Sequence, residues 1–434
     1  MNPNKFQLLG ILVLLATSPL ANAQRNGFEQ PPIDYLNAPV HDPVAKLAAK
    51  IESGEAKLDY DDTFGYLKSV LKELDVPVSS QMLVFSKTSL QLHRISPRLP
   101  RALYFNDDVY VGFCQRGDVL EFASTDPKQG ATFYTLKQSE EGAPQFVRDR
   151  GGCLTCHASN RTQNVPGYLV RSVFADGAGR PKLGSGTFTT DHTSKFHDRW
   201  GGWYVTGKHG SMRHMGNQIC IDDEYKFDRD IGANKVDLSE HFRAESYLSP
   251  HSDIVALMVL EHQTQMHNAI AAANYETRQA LHQSYQMNKL LDREPDHVSE
   301  SAQRRITAAA DNVLEYLLMS NEFQLTDAVT GSSGFAEEFR SRGKEDTQGR
   351  SLRDFDLETR LFRYPCSFLI HSAAFDALPP LMSDQIMTRL AAILAGDDDD
   401  EAFEHLTAEM RSEIRDVLLA TKPEFKKYHL AATR

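Results

Sequence analysis

The stretch LYFNDDVYVGFCQRGDVLEFASTDPKQGATFYTL, residues 103–136, decides the fold class. Four short runs of aromatic and β-branched residues occupy 103–105, 109–113, 119–123 and 132–136. Turn chemistry separates them: Asn106-Asp107-Asp108, Arg116-Gly117-Asp118 and Asp126-Pro127. Asp107 and Asp108 belong to this hairpin chemistry rather than to a metal site. The reading is an antiparallel meander of about four strands. Downstream, 167–174, 183–189 and 203–206 add short strand-like runs, with a turn at 176–179.

Upstream the period changes. Val44, Leu47, Ala48 and Ile51, then Phe64, Leu67 and Leu71, recur at helical spacing before Pro77. Residues 24–43 are rich in Pro, Asn and Asp and read as an unstructured lead-in. Residues 82–95 alternate poorly and suit a strand or a short helix. From about residue 245 the pattern becomes helical, over 252–273, 275–291, 299–319, 360–377, 384–394 and 407–420, with Ser252-Asp253 as a cap. The acidic run 397–401 reads as a solvated loop. The expected fold is therefore α+β: an N-terminal helical region (24–94), a β-rich middle (95–245) and a mainly α-helical C-terminal half (246–434).

Composition bounds the function. The chain has 434 residues, 41 % of them hydrophobic, with 47 Lys+Arg against 59 Asp+Glu and a net charge of −12. These values exclude intrinsic disorder and a multi-span membrane protein. An acidic chain is a poor nucleic-acid binder, and it favours a partner with a basic docking face. Five cysteines are too few for a disulfide scaffold, and five is odd. Lys5, the apolar run 6–16 and Ala21-Asn22-Ala23 have the layout of a cleaved secretory signal at 1–23. The expected location is periplasmic or secreted, with no membrane association after cleavage. No nucleotide loop, H-E-x-x-H or G-x-S-x-G motif occurs.

The chemistry lies in Gly151-Gly152-Cys153-Leu154-Thr155-Cys156-His157, which contains C-x-x-C-H, the attachment pattern of c-type haem. Two intervening residues place both sulfurs on one side of a single turn, each able to form a thioether with a haem vinyl group. The adjacent histidine then faces the iron. At this composition about 0.002 such matches are expected by chance. Three other readings compete. A thioredoxin-like redox pair expects a preceding strand in a βαβ unit. A zinc site needs a second ligand pair. A Cys153–Cys156 disulfide closes a tight ring.

Over residues 151–157 the chain resembles a c-type cytochrome, and more broadly it resembles large secreted monohaem cytochrome-c-domain proteins. The resemblance implies one covalent haem c, with Cys153 and Cys156 as attachment sites and His157 as an iron ligand. By analogy with small cytochromes c, the Pro166 carbonyl is the expected acceptor for His157 Nδ1–H. Those small proteins are all-helical with the motif near their start, whereas here it lies mid-chain among expected strands.

The sixth iron ligand is sought in 191–217, which holds His192, His197, His209, His214, Met212, Met215, Trp200 and Trp203. Met215 is the first choice, because Gly216 lets the loop close on the iron. Met212, His214 and His209 are alternatives, as is His262, which shares an apolar helix face with Met258 and Met266. Glu261 and His267 are candidates for acid–base work if the haem is catalytic. Arg171 and Arg213 are candidates for the haem propionates. Of the remaining cysteines, Cys114, Cys220 and Cys366, the expected bridge is Cys114–Cys220, with Cys366 in an apolar helix.

The expected function is electron transfer by an exported c-type haem protein, with a redox partner protein or small substrate unspecified. One alternative is a periplasmic, peroxidase-like haem oxidoreductase with an open or weakly ligated iron. Another is a secreted thiol oxidoreductase using the C-x-x-C pair.

Overall fold

The computed structural model describes residues 27–220 and 228–432. The expected signal peptide at 1–23 lies outside them. Among the described residues the fold is α+β. Two short helices, α1 (Pro43–Ser53) and α2 (Leu67–Glu73), precede the strands β1 (Met82–Val84), β2 (Arg101–Phe105), β3 (Val109–Phe113), β4 (Val119–Asp126), β5 (Gly130–Lys137) and β6 (Phe146–Arg148). The single turn α3 (Leu154–His157) carries the motif, followed by β7 (Val170–Val173), β8 (Thr187–Thr190) and β9 (Trp203–Tyr204). The helical half comprises α4 (Ile254–Leu290), α5 (Glu300–Leu317), α6 (Phe335–Ser341), α7 (Ala373–Asp376), α8 (Pro380–Ala395), α9 (Ala408–Thr421) and α10 (Phe425–Ala432).

Seven strands form one antiparallel sheet in the order β6-β5-β4-β3-β2-β1-β9, and β7 pairs with β8 in a separate ribbon. The expected meander is β2 to β5. Asn106 closes its first turn by accepting the N–H groups of Asp108 and Val109. Residues 82–95 resolve into β1 and a 3-10 turn at Leu92–Arg94.

Both faces of the sheet are covered. Tyr104, Val111, Phe122, Tyr134 and Leu136 point to one side and pack under α1 and α2. Asp42 caps α1 by accepting from Val44 and Ala45, and it also accepts the Tyr134 hydroxyl at 2.6 Å, which ties the helix to β5. The opposite face carries the row Phe105, Tyr110, Ala123 and Phe133, set by the cross-strand register. That face meets α4 and the motif segment.

Three expectations change. The segments 252–273 and 275–291 are one helix of 37 residues. The segment 360–377 is not a continuous helix but a 3-10 turn at Phe368–His371 followed by the short α7. The lead-in is packed rather than loose. Phe28, Ile33 and Tyr35 are buried in one cluster with Phe133 and Leu154, and the Tyr35 hydroxyl donates to the Ala131 carbonyl at 2.7 Å. Those aromatic and aliphatic side chains outweigh the turn-rich composition around them.

Candidate haem-attachment site

The motif begins in a bend organised by Asp149, whose carboxylate accepts the N–H groups of Gly151 and Cys153 at 2.9 and 3.0 Å. The chain then turns once through α3, with the His157 N–H donating to the Cys153 carbonyl at 3.0 Å. Leu154 is the buried anchor of this turn, whereas Cys156 is exposed and Cys153 half-buried. Cys153 and Cys156 are free thiols, so the disulfide reading does not hold. Burial, reinforced by Asp149, pushes the Cys153 thiol up to about 12. A thiol protonated at neutral pH is the opposite of the activated thiolate that thiol exchange requires.

His157 packs at a tilt against Phe133 of β5, 4.9 Å between ring centroids with 52° between the planes. Its Nδ1 lies 3.0 Å from the Gly167 carbonyl, which can only accept, so Nδ1 carries the proton. Burial holds the ring below the usual imidazole range, in the neutral form. Nε2 is then a lone-pair donor, and it makes no hydrogen bond among the described residues. The expected acceptor, Pro166, is displaced by one residue, because its carbonyl instead accepts the Ala131 N–H at 3.1 Å.

The surroundings combine apolar rim and charge. Glu121, which acts electrostatically on both Cys153 and His157, pairs with Arg101 at 2.6 Å and accepts from Ser89 and Gln91. Leu90, between those two residues, is 65 % exposed, and Val147, across the sheet register from Thr135, is 60 % exposed. Large apolar side chains left in water beside a motif are what a covering apolar ligand would bury. Arg171 lies close enough to feel Cys156. Its Nη2 donates to Thr187 at 3.1 Å, and its Nε is buried without a partner. Arg213 does not join this site: it pairs with Asp230 and donates to the Gly210 and Met212 carbonyls.

Tested against haem c, these residues fit: two unbridged thiols, an imidazole with its proton held on Nδ1, an apolar rim and an orphaned arginine nitrogen. Zinc is less well served, since no group of three or more His, Cys, Asp or Glu is arranged for a metal among the described residues.

The expected sixth ligands are not brought to His157. Met215 is fully buried, with its sulfur 3.6 Å from the Ser172 hydroxyl. Ser172 and Arg171 are neighbours on β7 and point to opposite faces. Arg171 lies with Cys156, so Met215 sits on the far side of the strand. Met212 packs into the core with α4. His209 has both nitrogens committed, Nδ1–H donating to the Met212 carbonyl at 2.8 Å and Nε2 accepting the Asn234 N–H at 2.9 Å. His214 accepts the Gly216 N–H at 3.0 Å and lies edge-on to Trp200 at 5.3 Å. His262 accepts the Ser367 hydroxyl at 2.7 Å and meets His192 at 3.4 Å. The His- and Met-rich segment is a buried imidazole–aromatic core, whose residue types mimic a haem crevice because both environments favour flat, weakly polar groups.

Other candidates also fall elsewhere. Glu261 is buried against Arg199 at 3.0 Å, and burial pushes its carboxyl up to about 7. His267 Nε2–H donates to the Asp107 carbonyl at 2.7 Å. Cys114 is a buried free thiol, so the Cys114–Cys220 bridge is not formed, and Cys366 is buried in the residues before the Phe368–His371 turn. Charge at the motif is mixed, with the carboxylates of Asp149 and Glu121 beside arginines. Arg150 and Arg161 are exposed there and, like Arg171, have no carboxylate partner among the described residues.

Sequence reasoning missed Asn268 of α4. It accepts the Tyr168 N–H at 2.8 Å and donates to the Tyr168 carbonyl at 2.7 Å, clamping the loop that follows the motif. An asparagine in a helix carries no signal of such a role. No protein-family model, curated protein or solved structure matches this chain.

Proposed function

We propose that this chain is an exported c-type haem protein acting in electron transfer, with one haem c held by Cys153, Cys156 and His157. The observation that carries the reading is the state of His157: a neutral ring, its proton fixed on Nδ1 by the Gly167 carbonyl, and Nε2 free for a metal. A ligating histidine needs this arrangement, since its second nitrogen sets ring orientation and basicity. Each cysteine Sγ would add across one vinyl C=C bond. The C–S bond forms at one carbon and the thiol proton goes to the other, so no oxidant is consumed. When bound, the haem supplies a one-electron couple. The protein's part is to orient the imidazole, bury one face of the site against Phe133 and offer Arg171 to a carboxylate.

The test is a haem-stained denaturing gel with a pyridine haemochrome spectrum of the exported protein. Wild type is expected to retain haem through denaturation, and Cys153→Ala with Cys156→Ala to lose the colour. An unchanged spectrum in the double variant overturns the proposal. A second reading, a haem oxidoreductase with an open sixth position, is favoured by one finding: Met215, Met212, His209 and His262 are engaged away from His157, and the His214 ring is buried against Phe196 and Trp200.

A further inference from the structure

His157 and Asn268 hold the two sides of a single peptide group. His157 Nδ1–H donates to the Gly167 carbonyl at 3.0 Å, and the N–H of the same peptide, that of Tyr168, donates to Asn268 Oδ1 at 2.8 Å. The Asn268 amide has only one consistent orientation, because its Nδ2 donates to the Tyr168 carbonyl at 2.7 Å and to Gln265 Oε1 at 3.3 Å. Asn268 is fully buried. The approach is close enough to require glycine at 167, where a Cβ would stand 2.3 Å from Asn268 Oδ1. A second bond, from Gly167 N–H to the His157 carbonyl at 2.8 Å, keeps the loop in register with the motif.

A peptide whose N–H already donates carries more negative charge on its oxygen and accepts more strongly, so bonds in such a chain reinforce one another in a low-dielectric interior. We infer that Asn268 is a positioning residue that holds the Gly167 carbonyl on His157 Nδ1 through the 167–168 peptide, and so fixes the ring's tautomer and the potential of the attached haem. The potential half of this inference rests on the haem reading above. A stronger acceptor at Nδ1 leaves more charge on Nε2, stabilises ferric iron and lowers the potential. The helical half of the chain, through α4, thus tunes a site carried by the β-rich half.

The experiment compares wild type with Asn268→Leu and Asn268→Asp in the full exported chain. Two readouts are used. One is the midpoint potential of the haem form. The other is the His157 ring tautomer, read from its ring-nitrogen NMR shifts in the haem-free Cys153→Ala/Cys156→Ala background. Asn268→Leu removes the acceptor without adding charge. It is expected to raise the potential, shifting the ferric–ferrous equilibrium about threefold to tenfold (tenfold being ~59 mV for one electron), and to release His157 from the single Nδ1–H tautomer into a mixture. Asn268→Asp is isosteric when protonated. Its potential is expected to match wild type at low pH and to fall as the new carboxyl ionises, a step that wild type lacks. If Asn268→Leu fails to fold, the pH step in Asn268→Asp decides. A folded Asn268→Leu with wild-type potential and His157 tautomer overturns the inference, as does an Asn268→Asp potential without the step. If wild type carries no haem, the proposed function fails, while the His157 tautomer still decides the relay.

Discussion

Asp108 shows how burial of one carboxyl writes itself into pH dependence. Burial pushes it from 3.8 to about 6, with Asp107 adding to the rise and Lys46 and Arg353 opposing it. Between about pH 4 and 6 the folded chain holds a proton there that the unfolded chain releases. Stability therefore falls as pH rises through that window, and the deficit is complete above about 6. Asp108→Asn is expected to flatten this slope and to stabilise the protein at pH 7 by about 1–2 kcal/mol, discounted for partial exposure. Urea unfolding at pH 4.5 and 7 measures it, and a variant no more stable than wild type at pH 7 contradicts the assignment. At this scale the C-x-x-C-H pattern is legible because its spacing is local, and the structure places it on the single turn α3. The acceptor of His157 was displaced by one residue, from Pro166 to Gly167. Which carbonyl faces the ring depends on how the loop docks on Asn268, not on the residues adjacent in sequence.

At the scale of elements, α4 is the organising piece. Asp253 caps it with one carboxylate oxygen on the N–H groups of Val255 and Ala256, while the other accepts from Ser332 and Ser333. Asp253→Ala loses the cap, about 1–2 kcal/mol, and strands two further N–H groups in a buried setting. We expect a loss of at least about 2 kcal/mol, measured by denaturant midpoint, and a smaller loss would mean that water replaces the carboxylate. The helix was foreseen in two halves. No Pro or Gly interrupts residues 254–290, so the halves join once tertiary packing supports both. The segment 360–377 failed in the opposite direction. Its apolar residues are buried as expected, but its backbone is committed elsewhere: Arg363 N–H donates to the Asp354 carbonyl, and Ser367 N–H to that of Leu317. Hydrophobicity reports burial, and only hydrogen-bond partners decide which secondary structure achieves it.

Over the whole molecule, sheet and helices share one core. Met82, Val84 and Phe105 of the strands cluster with Val255, Val259 and Ile306 of the helices. The partition into a helical N-terminus, a β-rich middle and a helical half therefore describes sequence order more than independent bodies. The same packing draws the five sixth-ligand candidates into other clusters, and this bears on coordination. Under the open-site reading proposed above, the reduced protein is expected to bind carbon monoxide readily, whereas a tightly held methionine or histidine would resist it. A spectrum unmoved by carbon monoxide would restore a protein sixth ligand.

What the sequence by itself determined is what short-range chemistry and period dictate. That covers the β2–β5 meander from its alternation and turns, and the helical C-terminal half from its 3.6-residue period. What only the tertiary structure decided is which distant groups share a face. Met215 sits behind β7 rather than over His157, residues 27–38 are packed against β5, Glu121 and Arg171 come to lie by the motif cysteines, and Asn268 grips the loop after it. The physical reason is common to all four. Each depends on where a chain separated by tens of residues comes to lie, and that is set by the summed burial of the core rather than by any local preference.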